Sequence, residues 1–329
     1  MIRILHDTNY DFIRWWKVMA AITVAFIVLG LGSLAIKKPN LSIEFTGGTL
    51  MQIEFVQPPD LGVIRSTLDA SGIPGAEIQQ FGTNREFTVR AQNAQEIAAQ
   101  SKGAENIAIR IEQVLKQKFG ATALVVRRTE AVGPRVGSEL ARGAVTAILL
   151  SFLITLVYLA IRFEWRFATA AVIATSHDVF TTIAFLKLMH LEISLTVVAG
   201  LLTVLGYSLN DTIIIFDRVR ENLRKGRKET LYETLNRSIN ETLPRSILTH
   251  ATAFAATLAL LIFAGEVIRP FAWVMAFGIV TGTFSSIYVA APVLLWIERK
   301  WPRQTGARQS SSTATPTSRT RRSPATATR

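Results

Sequence analysis

The chain has 329 residues, no cysteine, a formal net charge of +12 and 49% hydrophobic residues. The missing cysteine excludes disulfides, thiol catalysis and cysteine-ligated metals. The apolar residues fall in long uncharged blocks, unlike the apolar–polar alternation of a soluble domain, and about 20 such residues cross roughly 30 Å of hydrocarbon.

In chain order, residues 1–17 form a short mixed-charge N-terminus that closes on Trp15 and Trp16, which suit a membrane interface. Span one is predicted over residues 18–36, between Lys17 and Lys37. It is long enough to cross, and no clean small-residue cleavage site follows, so it is not read as a removable signal. Residues 37–141 then read as a globular domain. Strands are predicted near Gly48–Phe55, Ala76–Phe81, Glu86–Ala91 and Thr122–Arg128, with helices near Asp60–Ser71 and Glu105–Phe119. That order, β-α-β-β-α-β, is the ferredoxin-like split βαβ arrangement.

Five more spans are predicted within residues 142–297, at about 143–161, 167–186, 195–216, 247–263 and 271–297. The expected fold class is a polytopic α-helical membrane protein. It has six transmembrane helices and a ferredoxin-like α+β exported domain between spans one and two. Between spans four and five, residues 217–246 mix charge with Leu231, Leu235, Ile239 and Leu243, and read as an amphipathic helix on the membrane surface. Residues 298–329 are basic and rich in Ser, Thr and Ala, so a disordered tail is expected.

The basic residues set the orientation. Eight Lys or Arg lie from Arg218 to Arg245 and eight more from Arg299 to Arg329, both clusters bordering apolar blocks. With six spans both termini share a side, and placing that side in the cytoplasm puts every basic segment inside. A nucleic-acid reader would carry its charge on a folded face interleaved with aromatics, so no nucleic-acid partner is expected. There is no Walker phosphate loop, HExxH pair or GxSxG elbow, and His6, His177, His190 and His250 lack metal-ligand spacing. Neither an enzyme active site nor a cofactor or metal site is expected.

Candidate chemistry rests on ionisable residues inside spans. A charge at the bilayer centre costs about 2.5–3.5 kcal/mol on insertion scales, so such a residue is a candidate for function. Asp178, beside His177, lies about eleven residues into span three, near mid-membrane at roughly 1.5 Å per residue. Thr175, Asp178 and Thr182 share one helix face. In span four, Thr203, Tyr207 and Asn210 precede Asp211, and Arg245, Thr249 and Thr252 form a stripe at the start of span five. These faces are predicted to turn toward one another around a hydrated seam, with Asp211 and Arg245 facing each other near its inner end. The competing reading makes the polar side chains hydrogen-bonding glue between helices.

Several stretches carry a family resemblance. Ile43-Glu44-Phe45-Thr46-Gly47-Gly48-Thr49 resembles the FTGGT stretch after the first span of the SecD and SecF family, and Val132-Gly133-Pro134 resembles its VGP element. His177-Asp178-Val179 matches its HDV. Gly206-Tyr207-Ser208-Leu209-Asn210-Asp211-Thr212 is similar to the long signature of the SecF branch, together with Phe216-Asp217-Arg218, Arg220-Glu221-Asn222 and Ser238-Ile239-Asn240-Glu241-Thr242-Leu243 followed by Arg245. Pro244 departs from the pattern, where serine is common. It is expected to sit harmlessly in a first helical turn.

The resemblance implies half of a resistance–nodulation–division type bundle, completed by SecD. It implies a multi-pass protein of the cell inner membrane that assists late-stage export of preprotein beside the SecYEG channel, driven by protons. It puts Asp211 and Arg245 on positions associated with proton passage. Asp178 joins them as a proton-coupling candidate, with Tyr207, Asn210, His177 and Thr249 as the supporting seam. Thr46, Gly47, Gly48, Gly133 and Pro134 are the expected junction between domain and bundle. Two other classes compete: an exporter of small molecules or lipids from the same superfamily, and a purely structural assembly subunit.

Overall fold

The structure, a computed structural model, describes residues 8–80, 82–91, 103–225, 229–265 and 267–302. His6, Phe81 at the end of an expected strand, and residues 303–329 of the expected tail lie outside the described residues.

The α+β domain follows span one. A one-turn helix α1 (Ile43–Thr46) leads into β1 (Gly48–Phe55), α2 (Leu61–Ala70), β2 (Glu77–Gln80), β3 (Glu86–Ala91), α3 (Gly103–Phe119) and β4 (Leu124–Val132). The sheet order is β2-β3-β1-β4 with every neighbour antiparallel, so the ferredoxin-like expectation is met. Alternation decides which face is covered. Met51, Ile53 and Phe55 of β1 point inward with Phe87 and Val89 of β3, and pack on Ile64 and Leu68 of α2 and on Ile107, Ile111 and Leu115 of α3. Each such fully buried side chain contributes about 1.5–3 kcal/mol. The Asp60 carboxylate accepts from Gly62 N–H at 2.7 Å and caps α2. β4 runs on past the expected Arg128 to Val132, because β1 pairs with it along its whole length, down to Gly48 opposite Val132.

Among the described residues, six helices are long and apolar enough to cross a membrane: Ile13–Ala35, Pro134–Arg162, Trp165–Leu188, Leu195–Arg224, Leu231–Phe263 and Arg269–Lys300. In this order they are spans one to six. Spans three, four and six form the centre, with more than half of their apolar windows buried, while spans one, two and five are largely exposed. Spans four and six approach closely because Gly278 faces Val204: a Cβ on Gly278 would lie 2.2 Å from Val204 Cγ2.

Two expectations need correction. Among the described residues, 217–225 and 229–246 do not form a separate helix along a membrane surface. They continue spans four and five, which pack against each other as a helix pair, or hairpin, whose leucines face protein: Leu235 and Ile239 are buried with Ile215, Phe216 and Val219. The hairpin is also tied by polar bonds from Asn222 Nδ2 to Ser238 Oγ (3.0 Å) and Glu241 Oε2 (2.7 Å), and from Arg218 Nε to Glu241 Oε2 (2.6 Å). As a result Pro244 sits inside the 33-residue helix of span five, not in a first turn. The ring leaves the carbonyl four residues back, on Asn240, without its helical N–H.

Candidate functional site

Of the buried carboxylates in the bundle, Asp178 and Asp211 lie deepest, and their surroundings differ. Asp178 in span three is fully buried. It accepts hydroxyl bonds from Ser208 of span four and, at 2.7 Å, from Ser285 of span six, and its Oδ1 lies 3.1 Å from His177 Nδ1. Three spans therefore converge on one side chain whose two oxygens both have partners. Thr175 and Thr182 share its buried face as predicted, but their hydroxyls bond back to Ala171 O and Asp178 O of their own helix and join no neighbour.

Span six breaks its regular helix at this level. Ser286–Ala290 form a π-helical turn, followed by Pro292, which has no N–H to give to the carbonyl of Tyr288. Ser285 enters this turn on the side of Asp178, and Ser286 Oγ lies 2.9 Å from Thr212 Oγ1 of span four.

Asp211 is one helical position before Thr212 and is 2% exposed. Its Oδ1 accepts from the Ser246 hydroxyl of span five, and its Oδ2 is buried with no hydrogen-bond partner among the described residues. Around it, Tyr207 Oη donates to Thr249 O at 3.1 Å, and the Tyr207 ring meets the His250 ring edge-on at 5.1 Å. His250 Nδ1 is 2.6 Å from Ser246 O. A carbonyl only accepts, so Nδ1 is the donor in this contact.

The expected facing of Asp211 and Arg245 is not seen. Arg245 is exposed, and no ion pair joins it to Asp211 among the described residues; Ser246 occupies that place instead. The reason is helical pitch: at 3.6 residues per turn, adjacent side chains point about 100° apart, so the stripe through Arg245 faces outward when Ser246 faces in. Asn210 and Thr249 are exposed as well, and the Thr203 and Thr252 hydroxyls donate to carbonyls of their own helices. Sequence reasoning missed Ser208, Ser246, Ser285, Ser286 and His250. Their one signal is that each places a polar side chain within an otherwise apolar span.

At the junction, Gly47 has φ +73°, and a Cβ there would lie 2.9 Å from Pro134 Cα. Gly133 is the N-cap of span two and Pro134 its first helical residue. Thr46 Oγ1 donates to Ser42 O at 3.1 Å, and Gly48 opens β1 opposite Val132. Domain and span two thus meet backbone to backbone.

If Asp178 is a cross-link, Asp178→Asn should keep the assembly within about 1 kcal/mol, since the amide oxygen still accepts both serine hydroxyls. Asp178→Leu orphans the Ser208 hydroxyl and leaves Ser285 only the Gly282 carbonyl of its own helix, and should cost about 1–3 kcal/mol, read as a lower melting temperature in detergent.

The family model described as protein export membrane protein SecD/SecF, C-terminal, matches residues 111–300, and the SecD/SecF GG motif model matches residues 32–59. Among curated relatives, the protein translocase subunit SecF of Gemmatimonas aurantiaca is 62% identical over 305 residues, covering 92% of this chain and 91% of its own length. SecF of Vibrio alginolyticus is 40% identical, covering 88% and 90%. The crystal structure of SecDF from Thermus thermophilus, described as translocon-associated, matches with a TM-score of 0.78 at 34% identity over 91% of this chain. A SecDF structure in a super-membrane-facing form matches at 0.65. This chain spans only 40% of either SecDF chain. The chain belongs to the SecD/SecF family of protein export membrane proteins, with its relatives in the SecF branch.

Proposed function

We propose that the chain joins a SecD partner to complete the bundle and passes protons at Asp211 to drive late-stage translocation of preprotein beside a SecYEG channel. The observation that carries this is the buried Oδ2 of Asp211, which has no hydrogen-bond partner among the described residues. A buried polar atom without a partner costs free energy, and an oxygen left open in this way is where a proton or water is accepted. Asp178, by contrast, has both oxygens occupied and is assigned to holding spans three, four and six together.

Arg245, Asn210 and Thr249 are exposed on the neighbouring surface of spans four and five. Hydrocarbon is a poor cover for such groups, whereas the SecD half is a fitting one. In this reading the proton path lies at that interface, with Arg245 at its inner end. The chain sits in the inner membrane with both termini cytoplasmic and the α+β domain on the periplasmic side. The bland alternative, a structural subunit, draws its support from the Asp178 cross-link.

The test uses the purified complex, obtained from membranes in mild detergent, in vesicles with an imposed proton gradient. A SecD-like chain should co-purify, and a protonophore should lower preprotein export several-fold. Equal export with and without the gradient ends the proton reading. For orientation, a periplasm-active reporter fused near Gln92 should be active and one near Gly226 silent; the reverse pattern overturns the topology.

A further inference from the structure

The α+β domain meets the bundle at more than the Gly47 junction. The linker after span one lies along the loop between spans three and four. Ile193 N–H donates to Asn40 O at 2.7 Å, Ser42 N–H donates to Ile193 O at 2.9 Å, and Leu41 pairs with Ile193 as a parallel bridge. Lys187 Nζ donates to the carbonyls of Lys37 and Lys38. Glu44 of α1 then accepts from Leu195 N–H at 2.6 Å, at the first residue of span four, whose N-cap is Ser194. A carboxylate is well placed on the exposed N–H groups and positive dipole end of a helix N-terminus. The helix so held carries Asp211 roughly four turns further along. Span four, the Gly47 turn and β1 therefore form one continuous connection, made by the backbone bonds at Ile193 and by the Glu44 carboxylate on Leu195 N–H.

The second attachment is different in kind. Arg90 stands on the sheet face opposite α2 and α3 and is 8% exposed. It pairs with Glu192 of the span three–four loop, donates to Asn40 Oδ1 at 3.3 Å and lies 3.6 Å from Glu77 of β2. Around this contact a cavity of about 280 Å³ separates the sheet from the loops, with Gln52, Gln79, Thr88, Arg128 and Glu130 on its walls. The sheet does not pack on the bundle there. It rests on one ion pair at the edge of a polar, open gap; Glu192 is 31% exposed, and when the pair opens the buried Arg90 keeps Asn40 Oδ1 and Glu77 beside it, so its charge is not left uncompensated. The linker's backbone bonds lack that freedom.

We propose that Glu44 and Arg90 are positioning residues for export. Glu44 makes the Gly47 junction a fixed pivot on span four, and the Arg90–Glu192 pair is a releasable latch that sets the tilt of the α+β domain. The proposal rests on the proton reading of Asp211: a shift of span four reaches the domain through Glu44, and the domain swings when the latch opens.

The chain's lack of cysteine makes the test direct. An Arg90→Cys, Glu192→Cys pair is bridged with a reductant-cleavable bis-thiol crosslinker in the reconstituted complex. Bridging is expected to cut gradient-driven export at least tenfold, and reductant to restore it. Undiminished export by the bridged protein overturns the latch. If the pair is inactive before bridging, a second arm decides. Spin labels at Gln79 and Val267, across the cavity, should show a wider distance distribution in Glu192→Gln than with Glu192 intact, and an unchanged width overturns the latch. For the pivot, Glu44→Ala should lower export more than proton uptake, while Glu44→Gln, which still accepts from Leu195, keeps both; equal loss of both in Glu44→Ala makes Glu44 merely structural. Asp211→Asn in the same vesicles separates the two levels. If it keeps gradient-driven export, the proton reading and the coupling both fall; if it loses it while the bridged pair does not, only the latch falls.

Discussion

Asp211→Asn is expected to reduce export to the level seen with the gradient collapsed, at unchanged yield and unchanged association with the SecD-like partner. Asn has nearly the same volume, and its amide oxygen still accepts the Ser246 hydroxyl that now binds Oδ1. What it lacks is a second oxygen able to take a proton, at the position of the unpartnered Oδ2. The magnitude follows from the gradient. One proton crossing about 100 mV supplies about 2.3 kcal/mol, which biases a two-state step about fifty-fold. A full switch from 1:99 to 99:1 needs about 5.5 kcal/mol, so more than one proton is required to drive it completely. Loss of up to about fifty-fold per proton is therefore the expected size. Asp211→Glu keeps an ionisable group and should retain partial activity. The matched control is Asp178→Asn, which should export near the wild-type rate. If Asp211→Asn exports as well as wild type at equal expression, the carboxylate acts as an interhelical hydrogen bond, like Asp178.

The architecture was legible where periodicity and length carry it. A strand near Gly48–Phe55 and helices near Asp60–Ser71 and Glu105–Phe119 were expected within the β-α-β-β-α-β order, and the inward Met51, Ile53 and Phe55 of β1 show the period-2 pattern that such a strand carries. Uncharged length marked the spans. What covers a face was not legible. Leu231, Leu235, Ile239 and Leu243 recur four apart whether the stripe meets lipid or protein, and here Leu235 and Ile239 meet Ile215, Phe216 and Val219. The pairing of the two helices was written instead in Asn222, Ser238 and Glu241, polar residues whose partners lie on the facing helix.

The candidate site shows the same limit at finer scale. Asp178 and Asp211 stood out because an ionisable group in a span is costly. The hydroxyls that hold them did not, because Ser208, Ser246 and Ser285 cost little in a span and carry no period of their own. The Arg245 stripe was one residue away from the face that meets Asp211, since the start of the helix at Leu231, and so its phase relative to span four, depends on the hairpin. Rotation of a helix about its axis is set by its packing partners, and part of that surface is left to the proposed SecD half.

Gly47→Ala is expected to disable export and loosen the α+β domain without blocking membrane insertion. Two costs coincide at this residue. Its φ of +73° lies in the left-handed region, which costs an L-residue with a Cβ about 1–2 kcal/mol. The new Cβ would also stand 2.9 Å from Pro134 Cα. That atom is backbone at the first turn of span two and has no rotamer to yield, so either the β1 entrance or the start of span two must move. The control is Gly75→Ala. Gly75 has φ +74°, yet a Cβ added there would meet nothing within 4 Å, so it incurs the conformational cost alone. Gly75→Ala should lower stability by about 1–2 kcal/mol and leave export intact. Gly47→Ala should show faster proteolysis of the α+β domain in outward-facing vesicles and loss of most export. Gly47→Val, with a β-branched side chain, should be worse again. If Gly47→Ala and Gly75→Ala prove alike in proteolysis and export, the contact with Pro134 yields freely and Gly47 is only a tolerant turn.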